Sequence, residues 1–162
     1  MKHINLALAA LVVIGTSGCS ALRSPDDMCV EIARFANASA GGTMHEVEFT
    51  TDWGGQFSKE QNVLAEKHCE HGGFEAGKQL CGYLMENTPT EFAAININRA
   101  LDCIGAPRIP DSLSQPFQLE YMAAKFEAEE VKAVRDGILV GVEYSYGFLE
   151  KPPSLRIYAS CD

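Results

Sequence analysis

The residues most able to do chemistry in this chain lie in one short run, His68-Cys69-Glu70-His71. Imidazole and thiolate groups together are ligands that suit zinc and copper. A structural zinc site needs four ligands in paired motifs, and although His45 could join from elsewhere, the chain has no second pair of this kind. Histidines exposed beside a disulfide cysteine are the simpler interpretation. We therefore keep His68, Cys69 and His71 as weak metal candidates and predict no cofactor.

Cys69 and His71 are also the pair from which a nucleophilic site could be built, because a neighbouring base activates a thiol. A thiol in an oxidising compartment is drawn instead into a disulfide. The chain has no Gly-Xaa-Ser-Xaa-Gly elbow, no phosphate-cradling loop and no His-Glu-Xaa-Xaa-His helix. We predict that the protein is not an enzyme, and we assign no catalytic residue.

The first eighteen residues have the features of a signal peptide. Lys2 lies in a short polar start, residues 6–14 form an apolar run too short to span a bilayer, and residues 15–18 are small, as they are before a processing site. The run Thr16-Ser17-Gly18-Cys19-Ser20 resembles the bacterial lipoprotein signal. Plain secretory cleavage after Ala21 is the alternative, since Thr16 stands where that signal favours leucine.

The resemblance implies that Cys19 is acylated, with palmitate among its lipids, and becomes the new N-terminus. Residues 19–25 would then be a lipid-anchored tether of small and polar residues. Ser20 after the cysteine, rather than an aspartate, implies the outer membrane. The expected location is the periplasmic face of that membrane in the bacterial cell envelope, with membrane contact through the lipid.

Either cleavage removes Cys19 from the disulfide count. Five cysteines remain in an oxidising compartment, which allows two bridges and leaves one thiol that is buried, paired with another molecule, or reactive; we favour burial. The two central helices are joined by a short loop, so we expect Cys81 and Cys103 to be oxidised and to hold these helices together, directly or through Cys29 and Cys69. The disulfide candidates are Cys29, Cys69, Cys81, Cys103 and Cys161.

The charge of the chain restricts its partners. Without residues 1–18, which contain one base and no acid, the side chains comprise 12 basic and 22 acidic residues, a net charge of −10. This balance argues against nucleic acid as a partner. It is typical of a well-solvated surface, and it would also steer a cationic protein toward this one. Residues 26–162 are long enough to form one globular domain around a sizeable core.

Helical periodicity predicts three helices in the first two thirds of the chain. Asp26 or Asp27 caps the first, and the second follows chain-breaking glycines at positions 72, 73 and 77. The third begins at Pro89, with Thr88 as its cap, and ends at Gly105. The second helix is expected to bury Leu80, Cys81, Leu84 and Met85.

Alternation of apolar and polar residues predicts the strands. Residues 43–51 form one strand, which ends at Trp53; that tryptophan could line a ligand surface, but packing against the core is favoured. Residues 63–65 fit a short helix or a strand. The C-terminal strands are expected at 117–121, 138–148 and 155–161, with 131–135 pairing through an Asp136-Gly137 turn. A helix over residues 123–136 is the competing interpretation.

These elements predict an α+β fold, in which a helical N-terminal half with one strand packs on a C-terminal antiparallel β-meander and disulfides brace the whole. The functional hypothesis is an envelope-anchored binding or inhibitory lipoprotein, for example an immunity-type protein that neutralises a toxin or lytic enzyme. The alternatives are a structural envelope lipoprotein with no dedicated ligand and, behind it, a Cys/His metal-binding protein.

Overall fold

The computed structural model describes residues 26–39, 41–53, 65–90, 93–110, 122–146 and 152–161. These residues form three helices and one five-stranded antiparallel sheet with strand order β2-β1-β5-β4-β3, which confirms the α+β class. None of the described helices is long and apolar enough to cross a membrane. The elements are α1 (Asp27–Ala38), β1 (His45–Trp53), β2 (Ala65–Glu70), α2 (Glu75–Asn87), α3 (Ala93–Cys103), β3 (Met122–Ala128), β4 (Ile138–Tyr146) and β5 (Ser154–Cys161).

The helices pack on one face of the sheet, with α2 against β1 and β2, and with α1 and α3 against β4 and β5. Strand register places the apolar side chains in rows across this face. One such row runs through Phe126, Val142, Ile157 and Val47, the last three of which are fully buried. The core therefore lies between the helices and the inner face of the sheet, and the outer face is polar.

The N-terminal half contributes two strands rather than the one predicted. Strand β2 pairs with β1, which in turn pairs with β5, so both halves of the chain build the same sheet. Strand β2 has no apolar alternation, because its inward positions are Ala65, Lys67 and Cys69. Lys67 is useful there, since its Nζ donates hydrogen bonds to the carbonyl oxygens of Met85, at 2.7 Å, and Thr88 at the end of α2.

The first helix is confirmed. Asp26 is its N-cap and accepts a hydrogen bond from the amide of Met28 at 2.9 Å. Helix α2 begins earlier than predicted, at Glu75, and includes Gly77. A side chain at Gly77 would lie 3.1 Å from the Cβ of His71, so this glycine serves close packing rather than chain breaking. Met85 is exposed, contrary to the prediction, while the other three positions of the face are buried.

The third helix begins at Ala93, so the predicted start at Pro89 is wrong. Thr88 does not cap it, because the Thr88 hydroxyl donates to the carbonyl oxygen of Leu84 and closes the end of α2 instead. The predicted end of α3 at Gly105 is confirmed. Gly105 adopts a φ of 70°, which favours glycine, and its amide donates to the carbonyl oxygen of Asp102.

The partner of β4 differs from both predictions. Strand β3 (Met122–Ala128) pairs with β4, and residues 131–135 belong to the connection between them. The competing helix over 123–136 is also wrong, although alanine, glutamate and lysine favour helix, because pairing with β4 outweighs intrinsic propensity. Gly137, with a φ of 78°, makes the turn into β4 as the sequence predicts.

Several predictions lie outside the described residues. They concern the signal peptide at 1–18, the lipidation site Cys19, the tether at 19–25, the side chain of Trp53 and the strand at 117–121. Strands β4 and β5 are confirmed as predicted through Tyr146 and Cys161.

Candidate functional site

Two disulfides join the helices to their neighbours. Cys29 in α1 pairs with Cys103 in α3, with their Cα atoms 5.0 Å apart, and Cys69 in β2 pairs with Cys81 in α2, with their Cα atoms 5.6 Å apart. The predicted oxidation of Cys81 and Cys103 is confirmed, but they do not pair with each other. Each ties its helix to a different element, because Cys103 faces α1 rather than α2.

Cys161 is the remaining thiol among the described cysteines. It is half-buried at the end of β5, opposite Ile138, and packs against the core. The thiol is therefore partly buried rather than fully buried as expected, and it packs on the core as a small apolar group.

The structure separates the weak metal candidates. Cys69 faces the core and is consumed in a disulfide, so it supplies neither a metal-binding thiolate nor a nucleophile. His68 lies on the opposite face of β2, with Nε2 3.1 Å from the Glu70 carboxylate, and His45 stacks on Phe74. Within the described ranges, no group of three or more His, Cys, Asp or Glu side chains could hold a metal ion. That the protein is not an enzyme stays a prediction.

The outer face of the sheet carries five charged side chains in register, one from each strand, which we call the charged row. Across the strands, each residue of the row stands opposite the next. The sign of charge alternates along the first four positions and then repeats, so the row ends on two carboxylates. In order from β3 to β2, the charged row is Lys125, Glu143, Arg156, Glu48 and Glu70.

Arg156 is the best-satisfied cation of the charged row. Its Nε donates to Glu46 Oε2 at 2.9 Å, and its Nη1 lies 3.3 Å from Glu143 Oε2. The hydrogen bond with Glu46 raises the pKa of the Arg156 guanidinium, and the charge of Glu48 adds to this effect. Arg156 is thus already engaged by Glu46 and Glu143.

Lys125 is engaged at the other end of the charged row. Its Nζ lies 2.8 Å from Glu127 Oε1 and 5.0 Å from the ring centroid of Tyr158. The Tyr158 hydroxyl donates to the same Glu127 oxygen at 2.6 Å. Glu127 raises the pKa of Lys125, and Lys125 in turn lowers the pKa of Glu127. At this end of the row, the charge of Lys125 is therefore balanced by Glu127 within the fold.

At the Glu48–Glu70 end, the charges of the row are not balanced in the same way. The two glutamates stand directly opposite each other on β1 and β2, and both are exposed. Like charges in this relation destabilise a sheet. His68 contacts Glu70, but Glu48 has no hydrogen bond or ion pair with a described residue. This end of the row can accept a cation from outside the fold.

The sequence indicated half of this surface. Alternation around Val47 and Phe49 places Glu46 and Glu48 on the face opposite the core. It does not place Glu70 beside Glu48, because strand β2 lacks an apolar pattern and its register follows from pairing with β1. The closeness of the two carboxylates therefore emerges only in the folded sheet.

Comparison with protein-family models, curated proteins and solved structures finds no match to this chain. Its chemistry and surface are therefore the only grounds for a functional proposal.

Proposed function

We propose that this protein is an envelope-anchored binding lipoprotein of the inhibitory, immunity type, which neutralises a cationic toxin or lytic enzyme. The acylated Cys19 would hold it at the periplasmic face of the outer membrane, and the outer face of the sheet would dock the partner. The observation that carries this proposal is the exposed Glu48–Glu70 pair at the end of the charged row.

The physical argument begins with the cost of that pair. Two carboxylates opposite each other on neighbouring strands repel, and Arg156, which stands opposite Glu48, is already hydrogen-bonded to Glu46 and paired with Glu143. A lysine or arginine from a partner would remove the repulsion and continue the alternation of charge. A guanidinium suits this position well, because its planar fork can donate to two carboxylates.

The acidic balance of the chain adds long-range attraction to the local site. A net charge of −10 after signal removal steers cationic proteins and speeds their encounter. Enzymes and toxins that act on anionic polymers or membranes gain from positive charge for the same electrostatic reason. A partner of that class would therefore have a surface that complements this one.

The scaffold supports docking with little rearrangement. The strands that present Glu48 and Glu70 stay in register over six residue pairs, and the Cys69–Cys81 disulfide ties β2 to α2. A docking face that is held rigid before binding loses less conformational entropy on association. This arrangement favours an inhibitor over a segment that folds only when it binds.

The test is to capture partners with the lipid-free mature protein from periplasmic and secreted fractions, identify them by mass spectrometry, and assay each purified candidate. The proposal predicts a cationic protein whose lytic or toxic activity falls in proportion to added mature protein. If captured proteins are not cationic, or if their activity is unchanged by saturating mature protein, the proposal fails and the structural-lipoprotein alternative gains.

A further inference from the structure

A narrow cleft lies between the first turns of α3 and the strands β1 and β5. Its walls include apolar side chains from all three elements, among them Phe49, Ile97 and Leu155. Two polar side chains that are almost fully buried, Thr51 and Asn96, line the same cleft. The cavity volume is about 10 Å³, which is enough for about one water molecule.

Asn96 is the unusual residue of this cleft. Only 1% of it is exposed, and its Nδ2 donates a hydrogen bond to the carbonyl oxygen of Pro89 at 2.8 Å. That bond fixes the orientation of the amide, because the flipped form would place two acceptor oxygens against each other. Asn96 Oδ1 must therefore find its own donor elsewhere.

Within the described part of the chain, no group donates a hydrogen bond to Asn96 Oδ1. A buried acceptor without a donor is costly, and buried polar atoms in folded proteins are nearly always satisfied by protein or by ordered water. The cleft is too small for a metabolite, and one amide oxygen among apolar walls is a poor cation site. Asn96 Oδ1 therefore needs one small, neutral hydrogen-bond donor.

We propose that this cleft binds a single water molecule, which donates one hydrogen bond to Asn96 Oδ1 and forms a second with the hydroxyl of Thr51. A threonine hydroxyl can both donate and accept, so it can complete the coordination of such a water. Asn96 belongs to α3 and Thr51 to β1, so the bridge joins the helix layer to the sheet.

The experiment is a crystal structure of the mature protein at better than about 1.5 Å, together with water-to-amide cross-relaxation measured by NMR at the side-chain NH₂ of Asn96. We expect an ordered water within about 3.2 Å of both Asn96 Oδ1 and Thr51 Oγ1, and a water cross-peak to that NH₂. Absence of the water, or an Asn96 Oδ1 that accepts from a protein donor, overturns the proposal.

Two matched variants test the bridge without removing Asn96. Thr51→Val deletes the proposed second partner of the water and should abolish the cross-peak. Thr50→Val is the control, because Thr50 lies on the other face of β1 and its buried hydroxyl has no hydrogen-bond partner within the described ranges. This control should leave the cross-peak unchanged. A cross-peak that persists in Thr51→Val contradicts the assigned bridge.

Discussion

Arg99 joins parts of all three helices through its guanidinium. Both oxygens of Asp26, the N-cap of α1, accept hydrogen bonds from it at 2.7 Å, and the carbonyl oxygen of Asn87 at the end of α2 accepts another at 3.0 Å. Its Nη2 also contacts the Tyr83 hydroxyl at 2.8 Å. The hydrogen bond with Arg99 lowers the pKa of Asp26, despite partial burial that acts in the opposite direction.

The first prediction concerns the charge of Asp26. Asp26→Asn keeps an acceptor for the helix cap but loses the ion pair with Arg99, and it should lower the free energy of unfolding by about 1 kcal/mol at pH 7, discounted for solvent exposure. Asp26 has a folded pKa below its unfolded value, so its contribution is present above about pH 4 and is lost as the pH falls through the folded pKa.

Denaturant titrations of both proteins between about pH 7 and pH 3 measure this difference. Asp27→Asn is the control, since Asp27 is exposed on the same turn and, among the described residues, has no hydrogen bond or ion pair with Arg99. A stability difference for Asp26→Asn that stays constant across this pH range would contradict the assignment.

The second prediction concerns Gly141 in β4. A Cβ at this position would lie 1.9 Å from the Tyr158 ring, which covers the strand and holds its hydroxyl on Glu127. Gly141→Ala should therefore displace the ring and lower stability by about 1–3 kcal/mol. Gly82→Ala is the control, because Gly82 lies in α2 with open space around its Cβ position, and it should stabilise by about 0.5–1 kcal/mol. Thermal unfolding of both variants measures the change in stability. An equal change in the two variants would contradict the packing argument.

At the scale of elements, the sequence predicted best where a strand or helix has one clearly apolar face. Strand β4 alternates over its whole length, and α1 has both a capping aspartate and an apolar stripe, so each is found where expected. Local pattern was sufficient there because the buried face is the same in any sheet or helix packing.

The misses occur where tertiary contacts decide. Strand β3 has alanine, lysine and glutamate, which favour helix, and pairing with β4 makes it a strand. The residues around Thr88 match an N-cap motif, but the Thr88 hydroxyl donates a hydrogen bond to a carbonyl oxygen in the last turn of α2 instead. The sequence leaves the Cys29–Cys103 pairing open, since 74 residues separate the two cysteines and only the fold brings them together.

The third prediction ranks the two disulfides. They close loops of very different length, with sequence separations of 74 and 12 residues. In the loop-entropy model, the longer bridge contributes about 4.5 kcal/mol and the shorter about 3 kcal/mol. Replacing Cys29 and Cys103 by serine should therefore lower the unfolding midpoint more than replacing Cys69 and Cys81. Denaturant unfolding of the two double variants measures this, and the reverse order would contradict it.

At the scale of the whole molecule, the proposal combines a lipid anchor with an acidic docking face. The fourth prediction tests the anchor: Cys19→Ala removes the thiol to which the lipid would be attached, so the protein should leave the membrane fraction or stay unprocessed. Fractionation and intact-mass measurement of the exported protein provide the readout. Normal membrane partitioning of the variant would contradict the lipoprotein hypothesis.

The fifth prediction concerns the salt dependence of partner association at the docking face. Association with a cationic partner should slow as the salt concentration rises from about 0.05 to about 0.5 M, because screening shortens the reach of the acidic surface. Stopped-flow or biosensor association rates measure this directly. A rate that does not change with salt would exclude electrostatic steering.

The most direct test of the docking face compares two double variants that lose the same charge. Glu48→Gln with Glu70→Gln neutralises the end of the charged row, whereas Glu75→Gln with Glu86→Gln neutralises two exposed carboxylates on α2. The affinity of each for the captured cationic partner is measured by calorimetry. The proposal predicts a loss of at least about tenfold, or about 1.4 kcal/mol, for the first variant and little change for the second. Equal losses in both variants, or none in the first, would contradict it.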